Sequence, residues 1–430
     1  MKKILTFMLV VVFLVSMVFL GISCKKQVTE TTAPETTAAE TGVKLGGTVK
    51  VMAVTWPTFD ALKPFISAFG DKYGVKIEII ETPYHEFFEK VMVGLTSKTG
   101  QYDLITYMSP WAPLFILEGF VAPLNDYLDN PNLSDPNYDF KDYMDTASNT
   151  FVLDGKIYAL PFEIGADMLY YRTDLYKQYG IAGPPKNWDE YLAIAQKLTL
   201  DTNNDGDIDI WGAFIPAKRS SGAGSYFLQL LWSFGGELVD KDWNPTFNGP
   251  EGLKAMQYAV DLINKYKVAP KSSLEYVDDN GGTMFMEGKY AQVIVFTYVA
   301  GLADNPEYSK VVGNWWFGPI PGGKVGYGAT WAWGVPEDSK NKEAAFKLAE
   351  YTTSKEVLKE LGMAGIFAPR KSVVSDQDII DKNPQFVPIS EAVSQLKIPL
   401  ISETQMTEHW EEVTDIFNEF QKFVSENKSI

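Results

Sequence analysis

Residues 158–180 read YALPFEIGADMLYYRTDLYKQYG, and this stretch constrains the rest of the chain most. Tyr158, Ala159 and Leu160 give a short apolar strand signal closed by Pro161. Met168, Leu169, Tyr170 and Tyr171 form a second run with little polar character. An amphipathic helix is expected from Thr173 to Tyr179, with Leu175, Tyr176 and Tyr179 on one face and Gly180 as its stop. Thr173 or Asp174 is its expected cap, because a side-chain oxygen there can accept from free backbone N–H groups. Between the apolar halves lie Glu163, Gly165 and Asp167. Two carboxylates and a glycine suit a buried strand poorly. The expectation is that the chain bends there between two lobes and turns these groups toward a cleft.

Two or more domains are expected from 430 residues, since single cores stop growing beyond about 250–300 residues. The formal charge of −17 argues against nucleic acid and anionic membrane surfaces as partners. The single cysteine, Cys24, excludes an internal disulfide. With only His85 and His409 present, a His-based metal centre or a Ser-His-Asp triad is disfavoured. Eleven Trp and 22 Tyr bring aromatics to 14%, which favours a ligand with flat apolar faces.

Lys2 and Lys3 precede an apolar run from Ile4 to Leu20, and Gly21, Ile22 and Ser23 lead to Cys24. This reads as a signal peptide over 1–23, with Cys24 as the lipid-modified residue of an exported lipoprotein. Gly21 stands where a large aliphatic residue is usual, and an uncleaved membrane anchor is the alternative. Residues 24–45, rich in Thr, Ala and Glu, read as a disordered tether.

From Thr48 the pattern is strand, helix, strand. Val49, Val51 and Ala53 alternate, a helix over Phe59 to Tyr73 stops at Gly74, and Val75, Ile77 and Ile79 alternate again. That is a βαβ unit in an α/β fold with a parallel sheet. A helix over 84–98 and a strand over 102–107 follow, with Trp111 just beyond. Asn187 and Glu190 make a capping box for a helix that carries Trp188 as a structural residue. Asp201, Asn203, Asp205, Asp207 and Asp209 alternate around Gly206, as in a calcium loop, but Gly212 occupies the twelfth position where Glu would close it. Either another segment completes a structural calcium site or this is a tight Asx-rich turn.

Several motifs in order resemble the extracellular solute-binding proteins of bacterial ABC sugar importers. They are Leu160-Pro161 with Leu169-Tyr170-Tyr171, Gly119 to Leu124, Pro185 to Tyr191 and Gly235 to Asp240. Phe285 to Ala291, Pro319 to Gly323, Ser339 to Ala345 and Gly365 to Arg370 continue the match from residue 46 almost to the end. The resemblance implies a periplasmic-binding-protein-like fold, with two α/β lobes joined by a multi-strand hinge and a ligand cleft between them. Crossings are expected near residues 163–167, 296–299 and 352–354. The expected first lobe is 46–163 plus 299–353, and the second 164–298 plus 354–430.

The resemblance also implies ligand residues just past strand ends and at the crossings. Applied here it selects Trp56, Trp111, Glu163, Asp167, Trp232, Tyr298, Trp331, Trp333 and Arg370. Trp331 and Trp333 share one side of their strand. Arg370 serves equally well as a bridge or a partner for an acid. The function implied is capture of a sugar, an oligosaccharide first, by hinge closure and delivery to a membrane permease. No catalysis and no required cofactor are expected, and the protein is expected to be a monomer held at the membrane through Cys24. Two other readings stay open. A secreted glycoside hydrolase would need two carboxylates about 5–9 Å apart. A binder of amino acids, peptides or polyamines would need a basic anchor or more carboxylates than rings.

Overall fold

The computed structural model describes residues 45–218, 220–240, 244–322, 326–394 and 396. The segment read as a signal peptide, the stretch read as a tether with Cys24 up to residue 44, and His409 lie outside these.

Seven strands form one continuous mixed sheet. They are β1 (Thr48–Val54), β2 (Lys76–Thr82), β3 (Leu104–Met108), β4 (Leu160–Arg172), β5 (Gln292–Phe296), β6 (Trp315–Gly318) and β7 (Gly328–Gly334). The order is β2-β1-β3-β7-β4-β5, with β6 also on β4. β2 and β3 run parallel to β1, and β7 lies antiparallel between β3 and β4. Helices α1 (Pro57–Tyr73) and α2 (Tyr84–Ser97) follow β1 and β2, so the expected βαβ unit forms. Phe59, Leu62, Ile66 and Phe69 of α1 are buried at three- and four-residue spacing.

β4 corrects the expected bend. It is one strand of 13 residues, and Glu163 and Asp167 lie buried within it. Residues 160–166 pair with β7, with a register shift between Pro161 and Glu163. Residues 167–171 pair with β5, and 169–172 with β6. The partner therefore changes between Ala166 and Asp167 while the strand continues. Gly165 permits this change, because a Cβ there would lie 2.3 Å from the Phe296 ring and 2.4 Å from Thr297 Oγ1. Beyond it, alternation sorts the two faces. Met168 and Tyr170 join Phe285, Val293 and Val295 in the main core, while Leu169 joins Ile294, Trp188 and Tyr191 in a second one.

The remaining helices of the second lobe include α3 (Trp188–Lys197), α4 (Ser221–Ser233), α5 (Pro250–Asn264) and α6 (Asp278–Met286). Asn187 Oδ1 caps α3 by accepting from Glu190 N at 2.8 Å, while Glu190 Oε2 reaches Lys186 N instead of the cap residue. Neither Thr173 nor Asp174 caps the helix Thr173–Gln178; Asp174 pairs with Arg172.

Two other crossings differ from expectation. β5 and β6 both pair with the second half of β4, so the chain does not cross at 296–299. It returns between Gly318 and Gly328, where Asp167 N donates to Tyr327 O. Helices α7 (Lys342–Thr352) and α8 (Lys355–Met363) both pack on α1, so 352–354 is a helix junction inside the first lobe. The last described helix, α9 (Phe386–Ser394), packs on β4, and its Phe386, Ile389 and Val393 join the main core. Helix α8 thus packs with the first lobe and α9 with the shared strand, while Gly365 between them approaches Gly301 in the segment after β5. The strand ends at these points carry the same apolar signal whichever half of β4 they pair with.

In the acidic loop the oxygens turn onto the loop's own backbone. Asp201 accepts from Asp205 N and Gly206 N, Asn203 from Asp205 N, and Asp205 from Asp207 N. Asp209 Oδ2 accepts from Thr202 N and Thr202 Oγ1 at 2.7 and 2.6 Å. Among the described residues no group of three or more His, Cys, Asp or Glu side chains is placed to hold a metal ion. A self-satisfied Asx-rich turn predicts an unchanged melting temperature in chelator, checked by differential scanning fluorimetry with EDTA and then with added calcium. A fall in EDTA reversed by calcium would restore the calcium reading.

Candidate ligand cleft

A cavity opens where β4 changes partners, with about 540 Å³ of empty space including its mouth. One wall comes from the ends of first-lobe strands: Trp56 after β1, Tyr84 after β2, Met108 at the end of β3, and Ala329 and Trp331 in β7. The opposite wall holds Asp167, Gly222, Ser225, Asp278 and Asp279, and Phe296, Tyr298 and Tyr327 lie beside the crossing. Crevices at the carboxyl ends of parallel strands collect ligands, because loops there are free to vary on a rigid sheet.

Trp331 is the floor. It is only 3% exposed and meets Tyr84, Phe87 and Trp111 edge-on, with centroids 6.1, 6.3 and 5.7 Å away. Trp56 is half-buried and meets Tyr298 edge-on at 5.3 Å. Its indole Nε1 donates to Glu163 Oε1 at 3.5 Å, so the ring is held from behind. Glu163 Oε2 is buried with no hydrogen-bond partner. Burial pushes the Glu163 carboxyl up to about 7, despite hydrogen bonds from Thr58 and Trp56.

The acidic wall is fixed by α4 and α6. Gln229 Nε2 donates to Asp167 Oδ2 at 2.6 Å. Burial first, then the charge of Asp278, push the Asp167 carboxyl up to about 8. Asp278 opens α6, where the helix dipole favours a carboxylate. Burial and the charge of Asp279 outweigh that and push it up to about 7. Gly222 lets α4 approach, since a Cβ there would lie 2.3 Å from Asp278 Oδ1.

Of the residues selected from the sequence, Trp56, Asp167, Tyr298 and Trp331 line the cavity, and Glu163 sits directly behind Trp56. Trp111 lies behind Trp331, stacked on Phe87 with centroids 6.1 Å apart, and supports the floor without lining it. Trp333 is a correction. It shares the face of Trp331 but is fully buried against Phe59 and Phe162, because two residues further along the strand the face lies under α1. Trp232 is buried near the end of α4, seven residues past Ser225 and outside the lining.

Arg370 is a second correction. It is fully buried, donates to Thr353 O at 3.1 and 3.0 Å and to Asp139 O at 2.7 Å, and pairs with Asp142 at 3.4 Å. The rings of Tyr138 and Tyr143 flank its guanidinium at 4.7 and 4.3 Å. It is a clamp inside the first lobe.

Sequence reasoning missed Tyr84, Ser225, Asp278, Asp279, Phe296 and Tyr327. Tyr84 stands two residues past β2 as Trp56 stands two past β1, so the strand-end rule would have found it. Asp278 and Asp279 look like ordinary acids of a helix first turn, and nothing local marks them as cavity residues.

Residues 55–359 match the family model for bacterial extracellular solute-binding proteins. A mannitol-binding protein of Pseudomonas aeruginosa is 26% identical over 272 residues, 62% of this chain and 59% of that protein. Among solved structures, maltose-bound MalE3 of T. maritima superposes with a TM-score of 0.78 at 23% identity, over 89% of this chain and 96% of that one. An ABC transporter solute-binding protein from Agrobacterium vitis S4, with bound D-mannitol, superposes with a TM-score of 0.77 at 24% identity, over 89% and 94%. With a family match across most of the chain and the same two-lobed fold, this protein belongs to the bacterial extracellular solute-binding proteins.

Proposed function

We propose that the chain captures a sugar or polyol between its lobes and delivers it to the permease of an ABC importer, releasing it chemically unchanged. One observation carries this reading: a wall of rings from one lobe faces a wall of carboxylates from the other, at the point where β4 passes between them. Rings cover the C–H faces of a sugar, and carboxylates accept from its hydroxyls. Trp56, Tyr298 and Trp331 are the assigned stacking residues and Asp167 and Asp278 the assigned acceptors. The sugar- and polyol-bound relatives support the ligand class.

The anchor is part of the same proposal: cleavage before Cys24 and a diacylglyceryl group on its thiol would hold a monomer beside its permease. Mass spectrometry of membrane-extracted protein is expected to give lipidated Cys24 as the N-terminus, and an intact Met1 would overturn it.

Capture is tested by calorimetry with maltose, maltotriose and mannitol. At least one is expected to bind, with a smaller radius of gyration at saturation in small-angle scattering. Trp56→Ala is expected to weaken that binding about tenfold, the loss of one well-placed ring contact at about 1.4 kcal/mol. Trp331→Ala is a poorer probe, since removing a buried Trp costs about 3–5 kcal/mol of stability.

The cleft carboxyls also predict how the empty protein responds to pH. Glu163, Asp167 and Asp278 have pKa values raised from 4.5, 3.8 and 3.8 to about 7, 8 and 7. Between pH 4 and pH 8, on the order of these values, the folded state keeps protons that the unfolded state has lost, so stability falls as pH rises. The empty protein is expected to melt at a higher temperature at pH 5 than at pH 8. Asp167→Asn should flatten the slope. A melting temperature that rises with pH across this window would contradict the burial of these groups.

A further inference from the structure

The polar groups facing the cavity are unevenly matched. Asp167 lines it from β4 and Asp278 and Asp279 from the first turn of α6, beside the hydroxyls of Ser225, Tyr84, Tyr298 and Tyr327; the charge of Asp278 opposes that of Asp167, and the charge of Asp279 opposes that of Asp278. Asp167 accepts from Gln229 and Ser225, and Asp278 lies close beside Gly222. Ionised carboxylates only accept hydrogen bonds, and burying them without a counter-charge is costly. Among the described residues lining the cavity none is Lys, Arg or His. The facing wall carries Trp56 and Trp331, with Tyr298 beside the crossing, and aromatic faces attract cations.

A hydroxyl brings one donor and acceptors of its own; an ammonium brings three donors and no acceptor. The second fits a wall of acceptors backed by rings. We infer that the ligand is a sugar or polyol bearing a protonated amine, its ammonium seated between Asp167 and Asp278 and against the aromatic wall. This rests on the sugar and polyol reading and narrows it. The raised pKa values of the two carboxyls add a signature. In the empty cavity the pair retains protons near neutral pH, and an ammonium seated there displaces one to solvent. A neutral polyol displaces none.

The test is calorimetry on the purified chain with matched pairs. Sorbitol is set against 1-amino-1-deoxysorbitol, and cellobiose against its di-glucosamine analogue, at pH 7.5 in phosphate and in Tris. The amine of at least one pair is expected to bind about tenfold or more tightly. For 1-amino-1-deoxysorbitol, whose amine is protonated at pH 7.5, the binding heat should differ between the buffers in the sense of proton release. Asp278→Asn should bring the amine-to-neutral ratio toward one, with melting confirming that the variant folds. The proton-release measurement needs no variant. A neutral member that binds as tightly as its amine, with no proton released, overturns the inference and leaves the sugar reading standing. If neither pair binds while maltose, maltotriose or mannitol does, this inference fails and the sugar reading stands; if none of them binds, both fail, and binding of putrescine alone would assign the cleft to simple diamines.

Discussion

The structure depends on the backbone hydrogen bonds of one strand. β4 gives its first half to β7 and its second half to β5 and β6, so both lobes are built onto the same 13 residues. A strand shared in this way cannot bow far without breaking ladder bonds on one side, yet it can twist where its partners change. That point lies between Ala166 and Asp167, and Tyr327 and Gly328 at the end of the return segment pair beside it. The cavity occupies the same place, so any relative rotation of the lobes changes its width first.

The same constraint explains the unusual chemistry of the site. A carboxylate on a continuous central strand has nowhere to swing, so Glu163 and Asp167 stay buried and both titrate high. Neighbouring elements satisfy the two unequally. Glu163 receives the Trp56 indole and keeps one oxygen unpartnered, while Asp167 receives the Gln229 amide and feels the charge of Asp278. Such incompletely satisfied buried groups lower the stability of the empty protein and leave interaction free energy for a ligand to supply.

Much of this was legible in the residues. The alternation at Val49, Val51 and Ala53, the helix stopped at Gly74 and the ordered motifs from Leu160 onward identified the α/β lobes and the crossing at 163–167. Trp56 followed from its place just past β1, whereas Tyr298 was selected at a crossing that the structure places elsewhere, and Trp331 lies within β7 and not at its end. The later crossings were misplaced because an apolar strand end looks alike whichever half of β4 it joins, and pairing is a non-local property. Trp333 and Arg370 were misplaced for a related reason. A residue's face on its strand is set by parity, but whether that face meets a cavity or a covering helix depends on α1, about 270 residues away for Trp333. Asp278 is the clearest loss, since only the approach of α4 at Gly222 makes it a cavity residue.

The division of labour between the walls bears on how the proposed capture would proceed. The first-lobe rings stand on a rigid base: Trp331 is packed into Phe87 and Trp111, and Trp56 is held by Glu163. They are ready to receive an apolar ligand face before the lobes close, because stacking needs no second partner. The carboxylates of α6 and β4 gain most from desolvated contact, which exists only once the walls meet. Binding would then begin on the rings and finish on the acids. The free energy that favours the closed form would come chiefly from the second contact, since only interactions that differ between open and closed states shift their populations.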